Sequence, residues 1–493
     1  MHSLELFDKN GIGYGNSIHK GEYSYFTLWT QVSNIYRLPH NMTKATNTLI
    51  KDRAALPMTA LALPIITESF FRILISSIDT VMLSSYSQQA VAGVGLVSQY
   101  IFFIQILFNV ICIGTSIVLS QYLGAKRMDE SAHVAQASIV MVGLAALIVG
   151  MAVFFCAKPL LSFYTLEDGV RKAGWQFLAI YGGFGSIFTA FNLLQGTVLR
   201  SYGFTRDAMF IAIATNVINV IGNSFALYGW FGLPVTGVVG VALSSTFAQF
   251  VACLLFNWRI RSNPDVQFSL RGIRSVPRDI YKKILSIGIP TAGENLSYNT
   301  AQITIMAMVS TLGTMAMSAQ VYVQTIVRFV FIVALSVGTA TQIKTGYFVG
   351  AKKPEEAYRR VYRYQLVGTL TSVSIVILLN LVKGPVIGIF THVPEIADIT
   401  YKILLVSIYV ETARSINLIT IPALKGAGDV KFPVFVGIFS MWGIGVLGAW
   451  LFGIYFGFGL IGVWLATGTD EAFRALVMLF RWKSKRWQTK AIS

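Results

Sequence analysis

The sequence predicts an all-α integral membrane protein with twelve transmembrane helices in two parallel six-helix repeats, an N-lobe and a C-lobe, around a central cavity. Of the 493 residues, 54% are hydrophobic and only 12% are charged, whereas soluble proteins carry roughly 25% charged residues. The apolar runs are continuous and long enough for membrane-crossing helices of roughly 20 residues, unlike the alternating segments of a membrane barrel. Repetition at a nearly constant spacing divides these runs into two halves.

The predicted elements follow in chain order, beginning with a polar cytoplasmic N-terminal tail at residues 1–50. The N-lobe, residues 51–258, contains spans at about 56–83, 91–122, 133–155, 177–199, 208–228 and 238–258. A basic cytoplasmic linker at 259–283 precedes the C-lobe. The C-lobe, residues 284–481, contains spans at about 284–312, 315–348, 361–390, 401–424, 432–456 and 460–480, followed by a basic cytoplasmic tail at 482–493.

The net charge of +17 is best explained by membrane topology. Lys and Arg collect in the cytoplasmic loops of membrane proteins, and here they fall in alternate connections. These connections carry Lys126 and Arg127, Arg200 and Arg206, the linker, Lys352 and Lys353, Lys425 and Lys431, and the C-terminal tail. The pattern predicts a multi-pass membrane protein with both termini in the cytoplasm, and it disfavours a nucleic-acid partner.

An internal repeat is the most specific feature of the sequence. Pro64 and Glu68 recur in the second half as Pro290 and Glu294. Three further pairs recur at nearly the same offset in the numbering: Gly124 with Gly350, Asn192 with Asn417, and Gly237 with Gly459. Because six spans is an even number, both halves enter the membrane in the same direction. Parallel repeats of this kind are typical of secondary transporters.

The first span carries Glu68, Arg72 and Asp79 among apolar residues. A charge at membrane depth costs about 2.5–3.5 kcal/mol on insertion scales and indicates a functional residue. Glu68 and Arg72 are four residues apart and can pair, whereas Asp79 has no basic residue one turn away. A carboxyl group in apolar surroundings can exchange a proton, so Asp79 is the main candidate for ion or proton coupling. The alternative is that Asp79 only pins a helix through permanent hydrogen bonds.

Side-chain amides in spans 4 and 5 extend this candidate site. They can hydrogen-bond a carboxyl group or coordinate a small cation, and they are Asn192, Gln195, Asn216, Asn219 and Asn223. We expect the coupling site to include Asp79, Asn192, Asn219 and Glu68.

The second half keeps Glu294 but has no acid at the position of Asp79. The polar residues predict a substrate cavity or polar site in the C-lobe, and the candidates are Glu294, Asn299, Gln302, Glu411 and Arg414. Glu411 and Arg414 are three residues apart, and Asp470 and Arg474 are four apart. We expect both pairs to form structural ion pairs.

These motifs together resemble the multidrug and toxic compound extrusion (MATE) family. The matching segments are IDTVMLS in span 1, the turns GAKRMDE and GAKKPEE, NLLQGTVLRSYGFTRD and GVVGVALSST. The run ETARSINLITIPALKGAGDVKFP and the ending DEAFRALVMLFRW resemble the bacterial DinF-like branch. The resemblance covers about residues 56–487 and implies a location in the bacterial inner membrane. It implies a two-lobed antiporter that exports organic, drug-like compounds, often cationic or aromatic, in exchange for protons or sodium by alternating access.

The resemblance also assigns roles to residues. It makes Asp79 the coupling acid of the N-lobe, supported by Asn192 in span 4 and by Asn216 or Asn219 in span 5. Some relatives have a second acidic pair in spans 7 and 10. In this sequence Glu294 lies one turn from the position of the acid in span 7. The position of the acid in span 10 is occupied by Arg414. Proton coupling through the N-lobe is therefore favoured over a sodium site in the C-lobe.

The sequence has no nucleotide-binding loop, metal-ligand cluster or catalytic triad, so we expect no enzyme activity, no metal site and no cofactor beyond H⁺ or Na⁺. The expected partners are small-molecule substrates and the lipid bilayer, and we expect a monomer. One alternative is a flippase for lipid-linked precursors from the same superfamily, which would need a basic central cavity. Four basic residues within the spans are compatible with this alternative: Arg72, Arg328, Lys344 and Arg414. A channel or receptor-like module is a second alternative, disfavoured by the two-lobe repeat.

Overall fold

The computed structural model describes residues 53–232, 234–268 and 272–492. The predicted N-terminal tail, residues 1–50, lies outside the described residues. Within them the regular secondary structure is entirely helical, which confirms the predicted all-α class.

The N-lobe contains six helices. They are α1 (Met58–Tyr86), α2 (Gln88–Gly124), α3 (Met128–Ser162), α4 (Asp168–Phe184 and Ser186–Ser201), α5 (Thr205–Tyr228) and α6 (Gly237–Arg261). The two parts of α4 are bent by 47°, and the segment before the bend, Leu178–Phe184, is a π-helix that contains two adjacent glycines. Such wide turns interrupt the regular hydrogen bonding and are frequent at functional sites.

The C-lobe repeats this order with six further helices. They are α7 (Arg278–Ser310), α8 (Thr314–Gly350), α9 (Pro354–Leu381), α10 (Pro394–Gly426), α11 (Lys431–Tyr455) and α12 (Gly459–Lys483). A short helix, Lys383–Gly388, precedes α10, and α11 contains two π-helical stretches. The connection between the lobes spans residues 262–277, because α6 and α7 each extend into the segment predicted as the linker.

Among the described residues, nine helices are long and apolar enough to cross a membrane, and the bent α4 makes ten. The other two helices, α7 and α12, have 33 and 25 residues. They are less apolar because α7 carries Glu294 with several amides, and α12 carries Asp470, Glu471 and Arg474. In both helices these charged residues are buried.

Packing within each lobe follows the repeat. In the N-lobe α1 packs against α5 and α4 against α6, and in the C-lobe α7 packs against α11 and α10 against α12. The lobes meet where α2 contacts α7 and α8, and where α8 contacts α1.

The main chains of the two lobes approach closely at the C-terminal ends of α2 and α8. A Cβ atom on Gly124 would lie 2.3 Å from the carbonyl oxygen of Tyr347, and one on Gly350 would lie 1.9 Å from that of Gln121. The two contacts are related by the internal repeat. Only glycine allows the two main chains to approach this closely.

Two hydrogen bonds reinforce this junction. The Tyr347 hydroxyl donates to the carbonyl oxygen of Ser201 at 2.5 Å, and Gln121 Nε2 donates to that of Gly426 at 2.8 Å. The repeat relates the two donors to each other and the two acceptors to each other. Each lobe therefore holds the C-terminal end of α4 or α10 from the other lobe, and the junction closes the side that the sequence predicts to be cytoplasmic.

The C-terminal segment packs onto this closed end. A short helix, Arg486–Lys490, follows α12, and the Trp487 ring stacks on Trp482 with centroids 4.2 Å apart. The main-chain N–H of Ile492 donates to Gln121 Oε1 at 2.8 Å. Gln121 thus contacts both the opposite lobe and the end of the described chain.

Candidate functional site

A cavity of about 360 Å³ lies inside the N-lobe, between α1, α2, α4, α5 and α6. Asp79 is the only charged residue among the described residues that line it. The other polar groups come from serines, threonines, asparagines and a glutamine, and include Ser76, Ser98, Asn216, Asn219, Asn223, Ser245 and Gln249. Phe177 and Tyr181 add aromatic surface.

Asp79 is half-buried and faces α5. Asn223 Nδ2 donates to Asp79 Oδ1 at 3.0 Å and lies 3.4 Å from Asn219 Oδ1. Asn219 Nδ2 in turn donates to Ser245 Oγ at 2.9 Å. The structure thus brings Asp79 and Asn219 into one cavity through the packing of α1 on α5. Among the described residues no hydrogen bond reaches Asp79 Oδ2, so this oxygen can accept a proton or face a cation.

Asn192 supports the cavity from behind. It is buried and does not line the cavity. Its Nδ2 donates to the carbonyl oxygen and to Oε1 of Gln249, both at 2.7 Å. Gln249 does line the cavity. Asn192 therefore influences the cavity indirectly, by orienting Gln249.

Glu68 lies outside the cavity lining and is buried. Its carboxylate binds Arg72 at 2.6 Å, which confirms the expected pair, and Arg200 at 3.1 Å. The C-lobe contains the matching contact, because Lys425 Nζ binds Glu294 Oε2 at 2.5 Å. Arg200 and Lys425 occupy equivalent positions in the two repeats, so the same bridge joins α1 to α4 and α7 to α10.

Buried charged residues form a cluster between α10 and α12. Arg414 binds Glu411, as the sequence predicts, and also Glu471 at 3.2 Å. Arg474 binds Asp470 at 2.6 Å, which confirms the second expected pair, and Glu471 at 3.1 Å. Glu471 therefore bridges the two pairs, and each charge has an opposite partner, as buried charges require.

The C-lobe also contains a cavity, of about 200 Å³, between α7, α8, α10 and α12. Gln302 and Arg414 line it together with Arg328. Asn299 does not line it and donates to the carbonyl oxygen of Asn295 at 2.7 Å. Among the predicted C-lobe residues, Gln302 and Arg414 line this cavity, and Glu411 joins Arg414 in the charge cluster. Glu294 forms the bridge to Lys425, and Asn299 belongs to none of these three sites.

The two halves of the chain match the same known family. Residues 64–225 and 290–451 both match the family described as MatE. The chain belongs to the MatE family. The first match begins at Pro64 and the second at Pro290, which confirms the repeat predicted from the sequence and the resemblance stated there.

Relatives of this MatE protein cover most of its length. A protein of Bacillus subtilis described as an uncharacterized transporter, YisQ, is 35% identical over 88% of this chain and 95% of its own. A probable multidrug resistance protein of Thermotoga maritima, NorM, is 25% identical over 88% of this chain and 93% of its own. The protein is therefore a membrane transporter of the MatE family.

Solved structures support the same fold. A crystal structure described as MATE in the bent conformation has a TM-score of 0.80 at 20% identity, covering 89% of this chain and 98% of that one. A multidrug resistance MATE transporter in an outward-facing conformation has a TM-score of 0.78 at 20% identity, covering 88% and 97%. These likenesses confirm the two-lobed architecture.

Several residues of this MatE site were missed by the sequence analysis. Gln249 and Glu471 accept the same two hydrogen bonds, from Asn192 and Asn417 respectively. The offset between Gly237 and Gly459, at the start of spans 6 and 12, also relates Gln249 to Glu471. The sequence therefore contained the signal that these two residues are equivalent. From the sequence, Lys425 indicates only membrane topology, although it is the repeat equivalent of Arg200.

A metal centre is not among the features of this site. Among the described residues, no group of three or more His, Cys, Asp or Glu side chains could hold a metal ion.

Proposed function

We propose that this MatE transporter is a secondary active antiporter that exports organic, drug-like compounds, often cationic or aromatic, in exchange for protons by alternating access. The observation that carries the proposal is the position of Asp79. It is the only charged side chain among the described residues lining the N-lobe cavity, and one of its oxygens is without a hydrogen bond.

A single carboxylate can couple the movement of protons to the movement of an organic cation if both bind to it. A proton on Asp79 removes the negative charge that would attract an organic cation, so each ligand lowers the affinity for the other. The aromatic faces of Phe177 and Tyr181 line the same cavity and can bind a flat cationic ligand. Exchange then follows when the cavity opens alternately to the two sides of the membrane.

The hydrogen bonding around Asp79 favours a proton over sodium as the coupling ion. A hard cation needs several oxygen ligands, yet Asn223 presents a donor to Asp79. Asn219 Nδ2 likewise donates to Ser245 Oγ, and Asn219 Oδ1 faces the Asn223 donor at 3.4 Å. A proton needs only one carboxylate oxygen, and no other cofactor enters the proposed cycle.

We also propose that the protein lies as a monomer in the bacterial inner membrane with both termini in the cytoplasm. Basic residues support this orientation, because Lys126 and Arg127 lie in the connection after Gly124, and Lys352 and Lys353 lie in the connection after Gly350. The same end of the helices carries the last described residues of the chain.

Transport in proteoliposomes tests the proposal. We expect an inward-acidic pH gradient to drive uptake of the aromatic cation ethidium, and Asp79→Asn to abolish it. Asp168→Asn is the matched control, because it removes the same charge from a fully exposed side chain and should leave uptake unchanged. Full uptake by Asp79→Asn would refute the role of Asp79, and uptake driven only by a sodium gradient would refute proton coupling.

A further inference from the structure

The C-lobe cavity occupies the same place in its lobe as the Asp79 cavity occupies in the N-lobe. Several residues that line the N-lobe cavity on α1 and α2 have their repeat equivalents in the lining of the C-lobe cavity on α7 and α8. Examples are Ser76 with Gln302, Asp79 with Ile305, and Ser98 with Gln324. The duplicated chain therefore contains two copies of one cavity.

The charge of the two copies is opposite. At the position of Asp79 the C-lobe has Ile305, and no carboxylate is found among the described residues that line its cavity. Two arginines line it instead. Arg414 is neutralised by Glu411 and Glu471, so the net positive charge of the cavity comes from Arg328.

Arg328 makes no hydrogen bond or ion pair with any residue that the structure describes. It lies near the middle of the 37-residue helix α8, roughly 21 Å along the axis from the start of the helix at about 1.5 Å per residue. A charged side chain at such depth is costly and usually has a partner or a function. Because Arg328 is exposed to the cavity, the missing partner is best supplied by a ligand of opposite charge.

Other donors surround the same cavity. Gln324 lies one turn before Arg328 on α8, and Tyr298 and Gln302 lie one turn apart on α7. The described residues provide no hydrogen-bond acceptor for these three side chains. Trp464 closes another wall, where its Nε1 donates to Gln320 Oε1 at 2.6 Å. Apolar and aromatic surface beside a guanidinium group and several neutral donors is suited to an organic anion.

We propose that the C-lobe cavity binds the anionic group of an organic ligand, a carboxylate or a phosphate, through Arg328. The charge pairs with the guanidinium group, and the donors of Gln302 and Gln324 satisfy further oxygens. The protein then has one cavity for a positive group and one for a negative group. This binding requires neither Asp79 nor an ion gradient.

Equilibrium binding of radiolabelled benzoate to the purified full-length protein in detergent tests the proposal, with neutral benzamide as the comparison ligand. A charge-assisted hydrogen bond contributes about 1.5–3 kcal/mol, so we expect Arg328→Gln to weaken benzoate binding at least about tenfold. Arg328→Lys, which keeps the charge, should retain most of it. Arg206→Gln is the matched control on an exposed arginine and should bind benzoate like the unmodified protein.

Two results would overturn the proposal: equal affinity of benzoate and benzamide, or unchanged benzoate binding by Arg328→Gln. Asp79→Asn should bind benzoate normally, and a loss there would refute the assignment to the C-lobe. Since Arg328 has no partner among the described residues, its variants should elute and unfold like the unmodified protein.

The source of the anion can be distinguished in the same assay. Short-chain dihexanoyl phosphatidylglycerol displaces benzoate in an Arg328-dependent way if the cavity takes a lipid phosphate. If it does not displace benzoate, the ligand is a free organic anion.

Discussion

The side-chain amide of Asn417 donates to both the carbonyl oxygen and Oε2 of Glu471, at 2.7 and 2.8 Å. Asn192 makes the same two bonds to Gln249. The amide is retained in both lobes, whereas its partner is charged in the C-lobe and neutral in the N-lobe. The contact between α4 and α6 and the contact between α10 and α12 thus share one hydrogen-bonding geometry, but only the second includes a charged residue.

This difference predicts unequal effects of removing the two amides. Hydrogen bonds to charged groups contribute about 1.5–3 kcal/mol, and those between neutral groups about 0.5–1.5 kcal/mol. We expect Asn417→Ala to lower the thermal unfolding temperature in detergent more than Asn192→Ala does. An equal or reversed order would contradict this explanation.

The bridge between Glu294 and Lys425 should stabilise the C-lobe only as a pair. Glu294→Gln leaves the buried ammonium group unpaired and should lower the free energy of unfolding by about 3–5 kcal/mol. The double change Glu294→Gln with Lys425→Met should recover part of that loss.

The matched control for this bridge is an exposed pair. Lys402 and Asp398 lie 2.7 Å apart with side chains more than half exposed, and exposed pairs contribute about 0.2–1 kcal/mol. Asp398→Asn should therefore have little effect on the unfolding of purified protein. If it destabilises as much as Glu294→Gln, burial does not explain the difference.

The glycine contact between the lobes should control conformation. Gly350→Ala places a methyl group 1.9 Å from the carbonyl oxygen of Gln121, so α2 and α8 must separate. We expect faster labelling of a cysteine introduced on the predicted cytoplasmic side, and altered transport. Gly388→Ala, where the added atom meets open space, should leave both unchanged, and an identical response of the two variants would exclude this role.

Competition at Asp79 predicts a pH dependence of substrate binding. Protonation at low pH removes the charge that holds a cation, so ethidium affinity should fall as the pH is lowered, by at most about tenfold per unit for one proton. Asp79→Asn should bind more weakly and lose the dependence. Titrations of the two proteins across a pH series measure this, and a dependence that persists in the variant would assign it to another group.

Much of this organisation could be predicted from the sequence, because helices and repeats produce regular spacings. The pairs Glu68–Arg72 and Asp470–Arg474 follow from the four-residue period of a helix. Partners on different helices depend on how each helix is rotated by packing, and no local spacing shows this. Arg200 therefore emerged as a second partner of Glu68 only in the structure.

Lys344 shows a different limit of sequence interpretation. From its position in span 8, it is one of the basic residues compatible with a basic central cavity. In the structure the side chain is buried, and Nζ donates to the carbonyl oxygens of Ala54 and Leu56 at 2.5 and 2.7 Å. The acceptors are main-chain atoms just before α1, and carbonyl groups carry no sequence signal.

The contact between Ile492 and Gln121 has a practical consequence for reporter fusions. Gln121 also binds Gly426 across the junction of the lobes, so opening that side must release the end of the chain or carry it along. A fluorescent protein joined directly behind Ile492 should interfere with this docking and bias the protein towards the state in which the lobes separate here. A flexible spacer between Ile492 and the fluorescent protein should restore the native balance.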